Sequence, residues 1–426
     1  MVARRELLRA AALLPLVAGC GAGPFGGSGA VRIAVAWSGG ELAAFRTVLA
    51  GLENVPAVEV VPLGDDIDTA FGSAGREAPD IVMMPQIGQV QALAARGRLR
   101  PVPDSVWCGG EPPYAKYWER LLFHDGKPYG APFKLTAKSL VWFDREAMAN
   151  YDLGDPAGWT VPDWVAAAGE LSGGPVRFLA PAGADGWTLT DSFENMLLAE
   201  SPDDYAELAE SVPPRRWDRC GVRAALENLG ALWGVRAARG IGYTMTRQFP
   251  DAVREVFDHR TALMVAMPDF AEPIVRRCLR HAKRAEEVVG TTWFPPVAGG
   301  TRPHIVGGDV AVLTAGGSDA ADKAANKVIA ALAAPEAAKP WIEGAGGFLG
   351  PHRKTEANYS RILGPVAEEL TAEPVVELSE RIGTMGGRHG LWPVLTDFLA
   401  EVGDGANPVQ PAVDRAVAAL DERERR

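Results

Sequence analysis

Val31, Ile33, Val35 and Trp37 alternate with smaller or polar neighbours in "VRIAVAW", the period-two pattern of a strand. Leu42, Phe45, Val48, Leu49 and Leu52 then recur at helical spacing through "ELAAFRTVLAGLENV". "AVEVVPL" and "PDIVMMP" predict further strands, and "QIGQVQALAARG" predicts a helix closed by Gly97. Strand, helix, strand, helix implies a parallel sheet with crossovers, in which ligands sit beyond the carboxyl ends of the strands. Those ends are Trp37 to Gly39 after the first strand and Met84 to Gln86 after the third.

Past a Pro-, Gly- and aromatic-rich region at 101–117, Asp125-Gly126 marks a tight turn between short extended pieces. "SLVWFD" predicts a buried strand, and Thr160 with Asp163 resembles a capping box opening the next helix. Helical patterns dominate 193–238, "TALMVAMPDF", "TTWFPPV" and "DVAVLT" are extended, and the chain beyond Ser318 is mostly helical. Its last helix carries Val413, Val417 and Leu420 on one face. No internal repeat interrupts this order.

The N-terminus departs from the pattern. Arg4, Arg5 and Arg9 precede the apolar stretch 10–18, then Gly19 and Cys20, which together form a secretory signal too short to span as a mature helix. "VAGC" resembles a bacterial lipobox, which implies cleavage before Cys20 and a diacylglycerol on its thiol. Cleavage a few residues later, as in an ordinary secretory signal, is the alternative. "RRELLR" resembles a twin-arginine export signal, although Leu7 stands where phenylalanine is commonest. "GAGPFGGSGA" cannot pack and acts as a tether, so the expected arrangement is signal 1–19, tether 20–30 and a body held at an outer membrane face.

That body is long enough for two domains with their own cores. The formal charge of −11 includes a leader with three arginines and one glutamate, so a chain cleaved before Cys20 sits near −13. Such an acidic body without a basic cluster argues against nucleic acid. Cys108, Cys220 and Cys278 allow at most one internal disulfide, and none forms a CxxC pair. No HExxH, GxSxG or Walker A sequence occurs, and the six histidines show no metal-ligand spacing. Neither cofactor, metal nor catalytic residue is expected.

"DGKPYGAPF", "SLVWFD", "GWTVPDWVAAAGEL", "TALMVAMPDF" and "AALAAPEAAKPWIEGAGGFLGP" stand in the order and spacing of the extracellular solute-binding proteins of carbohydrate ABC importers, which the chain resembles over roughly 31–426. "ADGWTLTDSFEN", "VGGDVAVLT" and "GGFLGP" look most like the α-glucoside or oligosaccharide subgroup, although Trp142-Phe143-Asp144 replaces the family's usual Trp/Tyr-Tyr-Asn. The resemblance implies an α/β, two-lobe fold of the periplasmic-binding-protein type II, each lobe a mostly parallel sheet flanked by helices and joined by crossing segments. Carried onto this chain, 31–135 and 264–317 form one lobe, and 136–263 and 318–426 the other. It further implies a monomer that binds a carbohydrate between its lobes and presents it to ABC permease subunits, performing no chemistry.

A sugar offers hydroxyls and apolar C–H faces, so its cleft needs aromatics beside carboxylates and amides. Twelve tryptophans suggest that several line such a cleft. The candidates are Trp37, Glu41, Gln86, Lys134, Lys138, Asp185, Trp187, Asp269, Asp309, Arg388, His389 and Trp392. Trp37 can equally pack beneath its own loop, Glu41 can serve the helix dipole, and the lysines can be solvated. Gly307, Gly308 and Asp309 are read as a turn before a strand. The loop "TMGGRHGLWPVL" either closes over a ligand or buries Trp392. Asp191 and Glu194, three apart before "FENMLLAE", are read as a helix cap and its reciprocal partner, leaving Asp185, Gly186 and Trp187 in the preceding loop. Three rival functions stand beside sugar capture: a secreted glycoside hydrolase using Asp185 with Glu194 or Asp191 with Asp269, a binding protein for a non-sugar solute, and a scaffold lipoprotein with a dead cleft.

Overall fold

The computed structural model describes residues 30–426 except 73–77, 109–110, 236–239, 371–373, 404 and 406. The signal, the lipobox with Cys20 and nearly all of the tether lie outside the described residues. Thirteen strands are described: β1 (Val31–Val35), β2 (Val58–Pro62), β3 (Ile81–Met84), β4 (Leu99–Arg100), β5 (Phe123–His124), β6 (Lys127–Pro128), β7 (Ala131–Ala137), β8 (Leu140–Asp144), β9 (Arg177–Leu179), β10 (Ala262–Ala266), β11 (Val289–Trp293), β12 (Ile305–Thr314) and β13 (Val375–Val376). Among the described residues no helix is long and apolar enough to cross a membrane.

Two α/β units result. The first centres on a seven-stranded sheet ordered β13-β12-β3-β1-β2, with β4 and β7 also paired to β12. The second has four strands ordered β11-β8-β10-β9. The expected parallel pairing holds for β1 with β2 and β3, while β12 joins β3 and β7 antiparallel and β8 joins β10 and β11 antiparallel. Each sheet is therefore mixed, because β8 and β12 enter from the opposite unit rather than through a helix packed on their own sheet.

Alternation along β8 buries both faces of the second sheet. Val141 and Phe143 face a core shared with helices Gly186–Glu200, Cys220–Trp233 and Leu391–Val402, while Leu140 and Trp142 face helices Phe249–Phe257 and Glu272–Ala282. Trp118, Trp142, Trp164, Trp217 and Trp341 are all fully buried. Most of the tryptophan surplus thus serves cores rather than a cleft.

Strand pairing shifts the expected lobe boundaries in two places. β10, which the expected boundary between 263 and 264 makes a crossing strand, and β11, assigned to the first lobe with 264–317, both hydrogen-bond into the second sheet. Helices Asp319–Leu332 and Lys339–Gly344, assigned to the second lobe with 318–426, bury Val328, Ile329, Trp341 and Ile342 in the first core. Periodicity reports which face of an element is apolar, and both cores supply such faces.

Three strand-linked segments pass between the sheets: 138–139 from β7 to β8, 294–304 from β11 to β12, and Glu377 from β13 into the helix Leu378–Arg381, whose Leu378 belongs to the second core. They are laced together. The Lys138 amide donates to the Ile305 carbonyl, the Ile305 amide to Ser139 Oγ, the Phe294 amide to the Ser139 carbonyl, and the Glu377 amide to the Val306 carbonyl, all at 2.7–3.0 Å. Cys108, Cys220 and Cys278 are free thiols, so no disulfide forms among them.

Candidate functional site

β7 sets Lys134 and Thr136 on one side of the strand, and Lys138 follows at its end beside the first crossing. Lys134 is 3 % exposed. Its Nζ lies 3.1 Å from Glu41 Oε1 and 3.6 Å from Asp309 Oδ2. Three ring centroids surround the same nitrogen: Trp341 at 3.9 Å, Trp37 at 4.3 Å and Phe348 at 5.1 Å. A buried ammonium is tolerated only when paired, and here two carboxylates and an aromatic cage share the task. Trp37 belongs to the first core, edge-on to Phe45 and Trp341, rather than to an exposed wall. Burial pushes the Asp309 carboxyl up, against the pull of Lys134.

Gly307, Gly308 and Asp309 form no turn. They lie inside β12, with a register shift after Asp309 that places its side chain opposite Lys134. The glycines meet a need for close approach, since a Cβ on Gly307 would stand 1.6 Å from Glu377 Oε1.

Lys138 faces the second unit. Its Nζ is 3.1 Å from Glu377 Oε2 and 3.5 Å from Asp191 Oδ2, with the Trp187 and Phe270 rings 5.7 and 5.8 Å away. Burial draws the ammonium down, but Asp191 and Glu377 override it and hold Lys138 well above an ordinary lysine. Burial pushes Asp191 up to about 7 despite Lys138. Asn195, one helical turn past Asp191, donates from Nδ2 to the Lys138 carbonyl at 3.1 Å.

The helix Gly186–Glu200 begins five residues before Asp191, so the expected cap at Asp191 and Glu194 is wrong. Asp185 occupies the N-cap position without bonding the helix's own amides, and Gly186 and Trp187 form the first turn rather than a loop. Asp185 Oδ2 instead accepts from the Phe249 amide at 2.6 Å. Glu194, 1 % exposed, accepts from the Leu378 and Ser379 amides at 3.0 and 2.8 Å and so caps a different helix, Leu378–Arg381. Three-residue acidic spacing suits a capping box and one buried helix face equally, which is why the local reading failed.

Trp187, Phe249 and Phe270 form a half-buried aromatic wall with mutual centroid distances of 5.2–5.6 Å. Phe270, next to the candidate Asp269, belongs to this wall. Asp269 beside it is fully buried and accepts from the Ala137 amide at 2.9 Å through Oδ2, tying the wall to the end of β7. Burial pushes its carboxyl well up. β10 does not cross between the sheets as expected, so Asp269 reaches the crossing through its side chain.

Trp392 opens the helix Leu391–Val402 and packs on Gly186, where a Cβ would lie 2.5 Å from Trp392 Cβ. The Arg388 guanidinium lies 5.5 Å over the Trp392 ring. Burial raises the Asp68 carboxyl of the first unit, and Arg388 offsets part of that rise. His389 turns elsewhere. Its carbonyl accepts from Arg423, and it lines a cavity of about 360 Å³ with Arg215, Met385 and Glu424, wholly within the second unit. Gln86, just past β3, is half-buried and accepts from Gln89 Nε2 at 3.3 Å.

Glu377 and Glu380 escaped the sequence reading. Their signal was acidic residues at i and i+3 around the short helix Leu378–Arg381, which a surface helix shows as well. Among the described residues no group of His, Cys, Asp and Glu forms a metal-holding cluster. The carboxylate pairs proposed for hydrolysis are poorly placed. Asp185 and Glu194 are nine residues apart on one helix, roughly 13 Å along its axis, beyond the ~5–9.5 Å such catalysis uses. Asp269 is sealed from solvent.

The profile described as bacterial extracellular solute-binding protein matches residues 54–369. Among curated proteins, the chain is 29 % identical over 219 residues to the alpha-glucosides-binding periplasmic protein AglE of Rhizobium meliloti, covering 46 % of this chain and 45 % of that protein. It is 29 % identical over 180 residues to the osmoprotective compounds-binding protein GgtB of Synechocystis, covering 39 % and 41 %. The matches thus span less than half the length of these relatives. Among solved structures, the solute receptor AcbH superposes with a TM-score of 0.76 at 18 % identity, over 94 % of this chain and 99 % of that one. The GacH receptor of Streptomyces glaucescens follows at 0.68 and 16 %, over 93 % and 98 %. At these identities the likeness establishes the α/β periplasmic-binding-protein fold.

Proposed function

Because the chain belongs to the bacterial extracellular solute-binding protein family, we propose that it captures a sugar between its two units for an ABC permease. The single observation that carries this reading is the wall of Trp187, Phe249 and Phe270 standing beside the Lys138, Asp191 and Glu377 network where the sheets meet. Half-buried rings suit the C–H face of a pyranose, and the adjoining ion pairs offer acceptors and donors to its hydroxyls. Lys134 and Lys138 are each matched by two carboxylates, which favours an uncharged, polyhydroxylated solute over an anion.

A glucoside or short oligosaccharide is the proposed class, and the name of the Rhizobium relative supports it. Compatible-solute glycosides enter the test panel through the Synechocystis relative. Calorimetry with mono- and disaccharides, glycosylglycerols and polyols is expected to find at least one solute binding tighter than about millimolar. Binding of phosphate, peptide or metal instead would overturn the sugar reading, and steady release of reducing sugar would favour a hydrolase.

We further propose that Cys20 carries a lipid and that residues 20–30 tether a monomer to the outer membrane face, exported with its twin-arginine-like leader. Cys20→Ser is expected to shift the protein from the membrane fraction to the soluble one. Unchanged fractionation would remove the anchor from this reading.

A further inference from the structure

The head of Lys134 sits in a box of rings and carboxylates in the first unit. Its Nζ has the Trp341, Trp37 and Phe348 centroids at 3.9, 4.3 and 5.1 Å, with Glu41 and Asp309 oxygens at 3.1 and 3.6 Å. An ammonium within about 6 Å of several ring faces, with carboxylates on the remaining sides, is the arrangement by which aromatic cages take free alkylammonium ions. Lys138 has no such enclosure, since its two rings stand at 5.7 and 5.8 Å.

The rings owe their places to one another. Trp341 stands edge-on to Trp37 at 5.0 Å and to Phe348 at 5.3 Å, while Phe45 and Phe133 lie behind Trp37 at 4.9 and 6.1 Å. Three separate segments supply them. Trp37 follows β1, Trp341 lies in the helix Lys339–Gly344, and Phe348 precedes the bridge that Leu349 makes to Leu135 beside Lys134. All three belong to the first core and are at most 6 % exposed, so packing holds the box in shape apart from the lysine that fills it. It opens on one side only through its acid. Trp37 stands just past the carboxyl end of β1, where sheets of this kind meet their ligands, and the Glu41 side chain is 44 % exposed.

We propose that Lys134 is a specificity-determining residue: its ammonium is the built-in occupant of a cation-recognition cage, and by filling that cage it closes the first unit to solutes carrying an ammonium group. A second cation brought there would meet Nζ at contact range with both carboxylates already spent. The matched lysines disfavour an anion, so the filled cage leaves uncharged solutes as the class admitted. Truncating the side chain at Cβ frees the space of Cγ to Nζ, which has the shape of n-propylammonium. It also strands Glu41 and Asp309 without their cation, and a free ammonium would restore it.

This inference rests on the sugar-capture reading only in placing the cage on the solute's side, and its test uses no sugar, so the two fail separately. n-Propylammonium and 1-propanol are titrated calorimetrically into the full chain and into Lys134→Ala, with thermal unfolding recorded alongside. Lys134→Ala is expected to melt lower than the unaltered chain, to bind n-propylammonium at about millimolar or tighter, and to regain part of its lost melting temperature with it. The unaltered chain is expected to bind the same ion at least roughly tenfold more weakly. 1-Propanol, which fills the space without charge, is expected to stabilise neither chain. Equal binding of n-propylammonium by the two chains, or none by a folded Lys134→Ala, overturns the cage. Equal rescue by 1-propanol also overturns it, because the site would then be a void that any apolar group fills. Should Lys134→Ala not fold in plain buffer, its refolding with each additive decides. Recovery with n-propylammonium alone supports the cage, and no recovery or equal recovery overturns it.

Discussion

Lys138 Nζ lies 3.1 Å from Glu377 Oε2, so one ion pair joins the first and third segments that pass between the two sheets. The residues are 239 positions apart in sequence and meet only because β7 and β13 flank the same end of β12. Asp191 completes the triad from the second unit.

Removing the shared cation strands its partners. Lys138→Met is expected to destabilise the chain by about 3–5 kcal/mol, the usual cost of leaving buried carboxylates unpaired. Adding Glu377→Gln should restore part of the loss, as measured by urea unfolding. Equal losses in the single and double variants would deny the coupling.

Trp187 is half-buried against two phenylalanines, at the margin of the core that holds Trp142. Trp187→Ala is expected to weaken sugar binding roughly 10- to 100-fold with little change in melting temperature. Unchanged affinity in calorimetry would return the ring to a packing role.

Gly307→Ala places a methyl where Glu377 Oε1 now sits. The carboxylate must leave Lys138, and about 1–3 kcal/mol of stability should go with it. In a double-mutant cycle with Glu377→Ala, the cost of the methyl should shrink, because its obstacle is gone.

Stability should rise on mild acidification. Burial, before any other cause, pushes Asp191 up to about 7 and Glu380 up to about 8 from ordinary carboxyl values. The folded chain therefore holds protons that the unfolded chain releases, and the associated stability is lost as pH climbs from about 4 to 8. Thermal unfolding is expected at a higher temperature at pH 5.5 than at pH 8.5, and Asp191→Asn should narrow the difference.

Thr160→Ala tests a feature remote from the site. The Thr160 amide donates to Asp163 Oδ2 at 2.8 Å, and the Asp163 amide returns a bond to Thr160 Oγ1. Losing that cap should cost about 1 kcal/mol in chemical denaturation and leave sugar affinity untouched.

Local chemistry made much of this fold legible. β1 keeps its predicted alternation, and Asp125 and Gly126 turn with positive φ between β5 and β6. Thr160 and Asp163 form their capping box, and Val413, Val417 and Leu420 are buried in the last helix. The ordered motifs carried the family. Each of these signals lies within a few residues, so the chain determines it before any distant partner arrives.

Tertiary structure decided the rest. It sent β10 and β11 to the second sheet, made a strand of Gly307 to Asp309, and turned Asp191 and Glu194 from a cap into buried partners of residues near 138 and 378. An acidic side chain looks the same in sequence whether water or an opposing lysine will solvate it. Only chain crossings hundreds of residues apart bring that lysine close, and burial at the crossing then sets the charge the carboxyl holds.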